Sequence, residues 1–382
     1  MLVMDCIGIH YPEISLKGDN RPYFVRKLRD NTRKALKGES FSVETLHDRM
    51  LVNLTDDSDK TRIASKLRKV FGISHFYFAR SCERDMRKMN EEAAALLGKE
   101  KTFKIKSSRA AKDFLSSPEI NKAMGEELEK TGYVVDLEKP EVTLFIDILK
   151  DRALLYTEKI KCPGGLPVGS SGKVAVLFSG GIDSPVAAWH MMKRGCRPVY
   201  VHFYALRNAE EVKTSKIGEL VRKLSEYSNT ARLYIVPYDL FAVSVVGRNE
   251  LILFRRFMNR IAEKISQKEN AKALVTGESV GQVASQTLDN IAASDEVVMM
   301  PILRPLVGMN KDEIIEKAIL IGTYEASIKE YKDCCSIIAV HPKTRAKLGE
   351  IKEDEGKLNM DELIEKTLER AEIILFGKEN KL

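Results

Sequence analysis

The chain has 382 residues, 44% of them hydrophobic, with 62 Lys and Arg against 55 Asp and Glu, so it can bury two or three packed domains and carries a net positive charge. No apolar run approaches the roughly 20 residues that span a bilayer, and MLVMDCIGIH, with Asp5 inside its apolar run and no basic segment before it, reads as a first strand rather than a signal peptide. Six cysteines without paired spacing or any C-x-x-C argue against a disulfide framework, a zinc site or an iron-sulfur cluster, and for a reducing, cytoplasmic setting.

In chain order, residues 1–57 alternate a strand (CIGIHY), a helix over about 22–36 and strands at FSVETLH and MLVNL, closed by the polar run TDDSDK. That is a small α+β unit. A second α+β unit follows over 58–162: helix (TRIASKLRKVF), strand (SHFYFARSC), helix (89–97), strand (TFKIKSS), helix (117–131), then strands VTLFIDIL and RALLYTEKI. The stretch KCPGGLPVGSSGK, ending at Lys173, has four Gly and two Pro and reads as a linker over 163–173.

The excess of positive charge lies in the first half. Residues 17–37 hold Lys17, Arg21, Arg26, Lys27, Arg29, Arg33, Lys34 and Lys37 against Asp19 and Asp30, and KTFKIKSSRAAK at 101–112 contains Lys104, Lys106 and Arg109 with no acid. A Lys or Arg placed on a phosphate releases a counterion and adds affinity, so two such clusters point to a polyanion, while either alone is equally a solvated face. Together they favour nucleic acid.

From Val174 the rhythm changes. VAVLF, RPVYVHF, RLYIVPY, KALVTGE and VVMMPIL alternate with helix-length segments at 184–194, 212–225 and 250–267 over a region 174–382. Continuous apolar strands separated by helices predict a doubly wound parallel sheet, with its ligand at the strands' carboxyl ends. The first strand there ends in SGGIDS. Ser179-Gly180-Gly181 turns sharply, its glycines admit a close ligand, and a helix starts near Asp183-Ser184-Pro185, where Asp or Ser can cap. Backbone N–H groups and the positive helix end converge on one point, which suits a pyrophosphate. The segment is neither a Walker A loop, since Pro167 and Val174 break that pattern before it, nor a G-x-G-x-x-G fingerprint.

SGGIDS resembles the SGGxDS loop of the N-type ATP pyrophosphatases, which transfer AMP to a carbonyl oxygen. Three further blocks, YPEISLKGDNRPYFVRKL (11–28), TGESVGQVASQTLDN (276–290) and PILRPLVGMNKDEIIEKAILIGTYEASI (301–328), together with DCC at 333–335, resemble those of the tRNA 4-thiouridine synthetases, or tRNA uracil 4-sulfurtransferases. The resemblance runs from about residue 10 to residue 345. It implies a ferredoxin-like domain, a THUMP domain and an ATP pyrophosphatase domain with a C-terminal helical extension. The first two would bind tRNA; the third would use ATP and Mg²⁺ to adenylate O4 of uridine 8 before sulfur replaces AMP.

The site residues follow from the same resemblance. Asp183 would bind Mg²⁺ or orient the loop, and Lys311 would stabilise phosphate charge. Leu177, Phe178, Ser179, Gly180, Gly181, Ser184, His202, Phe203, Arg255, Gly277 and Gln286 would line the nucleotide. Cys335 matches the sulfur-transferring cysteine, with Cys334 a variable neighbour that could serve as its resolving partner. Many bacterial members continue into a rhodanese domain that this sequence does not show. A cysteine desulfurase, a separate rhodanese or free sulfide is therefore the expected donor, and the family's second role, supplying sulfur for the thiamine thiazole, rests on that rhodanese part. A homodimer is expected on resemblance alone. Two other readings stay open: a different PP-loop enzyme that 2-thiolates or amidates RNA, and a non-catalytic THUMP RNA-binding protein. The absence of C-x-x-C pairs and of a glutaminase nucleophile weighs against the first, and the intact SGGIDS loop against the second.

Overall fold

The computed structural model describes residues 4–46, 49–55, 58–99, 101–110, 113–205, 209–244, 249–331, 334, 338, 345 and 347–377. It divides into two compact units, Met1–Gly165 and Leu166–Leu382.

The first unit contains β1 (Met4–His10), α1 (Pro12–Ser15), α2 (Arg21–Ala35), β2 (Phe41–Thr45), β3 (Arg49–Leu54), α3 (Lys60–Leu67), β4 (His75–Cys82), α4 (Met86–Leu97), β5 (Thr102–Arg109), α5 (Ser117–Lys130), β6 (Val134–Val135), β7 (Val142–Ile148), β8 (Ala153–Tyr156) and β9 (Ile160–Lys161). All nine strands belong to one sheet, ordered β2-β3-β1-β4-β8-β7-β5-β6, with β9 also on β4. The α+β reading of both stretches holds, and β4 joins them by pairing with β1 on one edge and β8 on the other. Alternation along β4 places Phe76 and Cys82 on the helix-covered face, where α1 to α3 and then α4 and α5 pack. Helix α4 starts three residues before the predicted 89 because Asp85 caps it, accepting from the Lys88 N–H at 3.0 Å.

The opposite face holds a buried polar knot. Asp147 on β7 accepts from Tyr77 at 2.6 Å and Ser108 at 2.6 Å and pairs with Arg49 of β3, while the Tyr77 and Tyr156 rings stack at 3.6 Å. A buried ion pair with one partner deleted leaves an uncompensated charge, which costs about 3–5 kcal/mol. Asp147→Ala is accordingly expected to lower the unfolding free energy by that order, with Asp147→Asn intermediate, in equilibrium denaturant unfolding followed by circular dichroism.

The second unit contains β10 (Lys173–Leu177), α6 (Asp183–Lys193), β11 (Arg197–Tyr204), α7 (Ala209–Thr214), α8 (Lys216–Ser228), β12 (Ala231–Pro237), α9 (Asp239–Ser244), α10 (Glu250–Glu269), β13 (Ala271–Val275), α11 (Leu288–Asp295), β14 (Ile302–Leu303), α12 (Lys311–Leu320), α13 (Tyr324–Ser327), helices Leu348–Gly356 and Met360–Glu369, and β15 (Glu372–Phe376). The sheet order is β14-β13-β10-β11-β12-β15, parallel except for β15. This is the predicted doubly wound architecture. Helix α10 and the last two helices cover one face, burying Phe254, Phe257, Ile351 and Ile364 against Ala175, Val201 and Val236.

Four local expectations change. The helix at 212–225 is two helices, because Ser215 caps α8 by accepting from the Ile217 N–H at 3.1 Å, and a Cβ at Gly218 would lie 1.9 Å from the Lys213 carbonyl oxygen. VVMMPIL shrinks to the two residues of β14, since the N–H groups of Met299 and Met300 donate to the Glu263 carboxylate instead of a strand. The C-terminal extension is not only helical: EIILF forms β15, which pairs antiparallel with β12. Part of the Gly/Pro-rich stretch is packed, with Leu166 and Val168 buried and the Leu166 N–H donating to the Lys193 carbonyl at 2.9 Å.

Candidate active site

Strand β10 is buried from Val174 to Val176 and delivers Phe178 and Ser179 to the carboxyl end of the sheet. Its neighbours β11 and β13 leave it in opposite directions, and the crevice of such a switch point receives ligands. Gly180 has φ +79°, a backbone angle that favours glycine, and a Cβ there would fall 2.2 Å from Ile217 Cδ1, so the buried Ile217 side chain would have to shift. The Ser179 hydroxyl accepts from the Gly181 N–H at 3.3 Å and lies 3.5 Å from the Ser184 hydroxyl. These contacts hold the loop in a tight curl.

The expected cap of the following helix is absent. No side chain caps α6, whose N-cap residue is Ile182. Asp183 instead turns outward: its carboxylate accepts from Lys311 Nζ at 2.6 Å and from Gln282 Nε2 at 3.0 Å. The first-turn amides of α6 are thus left to an anion. Lys311 is held as the first residue of α12 by a capping box between Asn310 and Glu313. It is a partly exposed cation beside the loop, paired with Asp183.

A cleft opens over this loop. Leu177, Phe178, Ser179, Asp183, Ser184, His202, Phe203, Arg255, Gly277 and Gln286 all line it, together with Thr276, Glu278 and Cys334. Each has a distinct reason to be there. Gly277 lets the end of β13 meet the start of α6, since a Cβ would lie 2.8 Å from the Ser184 nitrogen. His202 is fully buried. Its Nδ1 meets the Phe178 carbonyl at 2.7 Å and its Nε2 meets the Tyr331 hydroxyl at 2.8 Å, so both ring nitrogens are engaged within the protein. Burial pushes the imidazole down to about 4, and the ring is a neutral wall of the cleft at neutral pH.

Arg255 is oriented by an ion pair with Glu278 and by the Ser285 hydroxyl at 3.2 Å. Glu278 also accepts from Arg304 at 2.8 Å and Thr276 at 2.7 Å, and Arg304 continues to Asp295 at 2.7 Å. This buried chain fixes the arginine that faces the cleft. Gln286 accepts from the Ser279 N–H through its side chain at 3.3 Å and from the Gly281 N–H through its carbonyl at 3.0 Å, which folds the 279–286 loop at the cleft edge. Gln282, Glu278 and Thr276 are site residues that the sequence reading did not single out, although all three lie in the TGESVGQ block.

The basic residues predicted for RNA belong to the first unit. Lys17 and Arg21 flank the start of α2, with the Lys17 ammonium 5.3 Å over the Phe24 ring. Lys104 and Lys106 alternate along β5 on one face, Lys104 donating to the Leu137 carbonyl at 2.6 Å, and Arg109 at the strand end donates to the Phe114 carbonyl at 3.1 Å. Lys112, Asp333 and Cys335 lie outside the described residues. Cys334 is buried, its thiol 3.4 Å from the Phe203 carbonyl oxygen. Among the described residues no three His, Cys, Asp or Glu side chains cluster as a metal site, and no helix is long and apolar enough to cross a membrane.

A parallel sheet whose first strand runs through SGGIDS into an uncapped helix, with an arginine, a lysine and an aspartate around the cleft, defines a PP-loop protein of the N-type ATP pyrophosphatase class. Family comparison gives the same class. The model described as "Thiamine biosynthesis protein (ThiI)" matches residues 169–360, the ThiI ferredoxin-like domain 6–77 and the THUMP domain 83–158. A probable tRNA sulfurtransferase of Anoxybacillus flavithermus is 41% identical over 98% of this chain and 97% of its own, and one of Caldanaerobacter subterraneus is 38% identical over 94% and 97%. A crystal structure of a 4-thiouridine synthetase–RNA complex with bound ATP superposes with a TM-score of 0.88 at 33% identity, covering 98% of this chain and all of that one. The chain belongs to the ThiI family of tRNA sulfurtransferases.

Proposed function

We propose that this protein is the ATP-dependent tRNA uracil 4-sulfurtransferase that adenylates O4 of uridine 8 and replaces that oxygen with sulfur, giving 4-thiouridine. The observation that carries the reading is the joining of the SGGIDS loop to Lys311 through Asp183 at a cleft that also holds Cys334.

The chemistry fits that geometry. A uracil oxygen is a poor leaving group, so O4 attacks the α-phosphorus, pyrophosphate departs and the N3 proton is lost. With sulfide as donor, HS⁻ adds at C4, AMP leaves and the sulfur's proton passes to N3. With a Cys335 persulfide, the outer sulfur adds at C4 and expels AMP. A second thiol then attacks the Cys335 sulfur, forming a disulfide with it, so that the S–S bond breaks with its electron pair on the uridine sulfur and N3 regains a proton. The uncapped α6 amides and Lys311 face the pyrophosphate, and Arg255, braced by Glu278, offers a second fixed cation. Mg²⁺ binds through one or two carboxylates plus phosphate oxygens, and Asp183 is the carboxylate that fits. The ion would neutralise phosphate charge. Cys335 is the assigned persulfide carrier, loaded by a cysteine desulfurase or another sulfide donor. We also infer a cytoplasmic homodimer, in keeping with the unpaired cysteine spacing and the family.

The test is to incubate the protein with unmodified tRNA, ATP, Mg²⁺ and either sulfide or a desulfurase plus cysteine, then read the near-ultraviolet absorbance of 4-thiouridine. No signal with any donor would remove the reading. The basic strand has its own test. Replacing Lys104, Lys106 and Arg109 together with glutamine should weaken tRNA binding and flatten the log–log salt slope by about 2 to 3, since each neutralised phosphate contact contributes roughly 0.7–0.9. ATP affinity should be unchanged. An unaltered slope in filter binding assigns these residues to solvent.

A further inference from the structure

The nucleotide cleft and the cysteine segment rest on the same few side chains. The Phe178 carbonyl can only accept, so His202 Nδ1 carries the proton and donates at 2.7 Å; the neutral ring's Nε2 is then an acceptor, and the Tyr331 hydroxyl donates to it at 2.8 Å. The next residue of β11, Phe203, receives the Cys334 thiol at its carbonyl, at 3.4 Å. Two consecutive strand residues therefore hold two residues three apart in the segment that leads to Cys335. Lys216 adds a third attachment. Its ammonium donates to the Ser327 and Lys329 carbonyls, each at 2.8 Å, and lies 5.8 Å from the centre of the Tyr331 ring. The residue after Lys216, Ile217, is the side chain that a Cβ at Gly180 would meet.

We propose that Tyr331, acting through His202 and seconded by Lys216, is a positioning residue for sulfur transfer that seats the cysteine segment against the floor of the nucleotide cleft. The inference rests on the sulfurtransferase reading above. Tyr331 is not among the residues that line the cleft, and the His202 Nδ1 bond to the Phe178 carbonyl does not depend on its hydroxyl. Adenylation needs the loop, Lys311 and Arg255; the sulfur step alone needs the thiol-bearing segment in register with C4. Misplacement of a reacting group by a fraction of its near-attack distance is costly in rate, and one lost hydroxyl would loosen that register without opening a cavity.

The experiment separates the two steps in single turnover with unmodified tRNA. Without a sulfur donor, transfer of labelled AMP from ATP to tRNA is measured; with a persulfide donor, the 4-thiouridine rate is measured. Tyr331→Phe should keep AMP transfer and ATP affinity within about twofold and slow thiolation by about tenfold or more. Lys216→Met should show the same split, and Lys216→Arg should restore most of it. Equal loss in both steps would make the contact merely structural, and unchanged thiolation in both Tyr331→Phe and Lys216→Met would equally overturn the assignment. If the unsubstituted protein forms no 4-thiouridine with any donor supplied, the sulfurtransferase reading itself fails, which is a separable result.

Discussion

Asp183→Ala should reduce adenylation of tRNA by about three orders of magnitude while leaving tRNA affinity nearly unchanged. The carboxylate is the junction of three elements: it follows the SGGIDS turn, accepts from Lys311 at the head of α12 and accepts from Gln282 in the 279–286 loop. Its removal takes away the carboxylate proposed above to hold Mg²⁺ and also releases the Lys311 ammonium, its partner at 2.6 Å. Loss of one preorganised electrostatic partner typically costs 10²–10³ in rate, and here two go together. Asp183→Asn keeps the Gln282 contact in one orientation and should fall between. Labelled pyrophosphate release gives the chemical step and filter binding the affinity. Comparable loss in both assays would mean that the loop also binds tRNA.

Cys335→Ser should divide the reaction at its midpoint. The substitution leaves the loop, Lys311, Arg255 and the basic strands untouched, so AMP should still be transferred to tRNA, while 4-thiouridine formation from a persulfide donor should become undetectable. Cys334→Ser is the informative partner. Its thiol is buried against the Phe203 carbonyl, so it should keep substantial activity unless the two thiols share the persulfide. Normal thiolation by Cys335→Ser with sulfide as donor would show that sulfide attacks the adenylate directly and that Cys335 carries nothing.

Much of this site could be read from the sequence because its signals are local. A buried strand, two glycines and a helix start are adjacent in the chain, and the strand-helix rhythm of 174–303 fixes the sheet type and the end at which the loop emerges. What could not be read is tertiary. Asp183 looks like a cap from its position, yet a lysine more than a hundred residues away competes for it. Glu278 holds Arg255 only because β13 and α10 meet, and nothing in TGES reveals that partner. EIILF, after an amphipathic charged run, carries no turn signal that would mark a separate strand; its identity depends on the open edge of β12.

The single sheet of the first unit bears on how the protein is made. Strand β4 pairs with β1 on one edge and β8 on the other, and β8 leaves the ribosome only after α4, β5, α5 and β7 have emerged. Until then β4 presents a bare row of backbone donors and acceptors, the kind of edge that recruits strands from neighbouring chains. A gene fragment that stops anywhere between these two strands would encode a permanently unfinished sheet. Expression of the first unit for study should therefore run through Ile160 and Lys161, where β9 adds its pairing to β4.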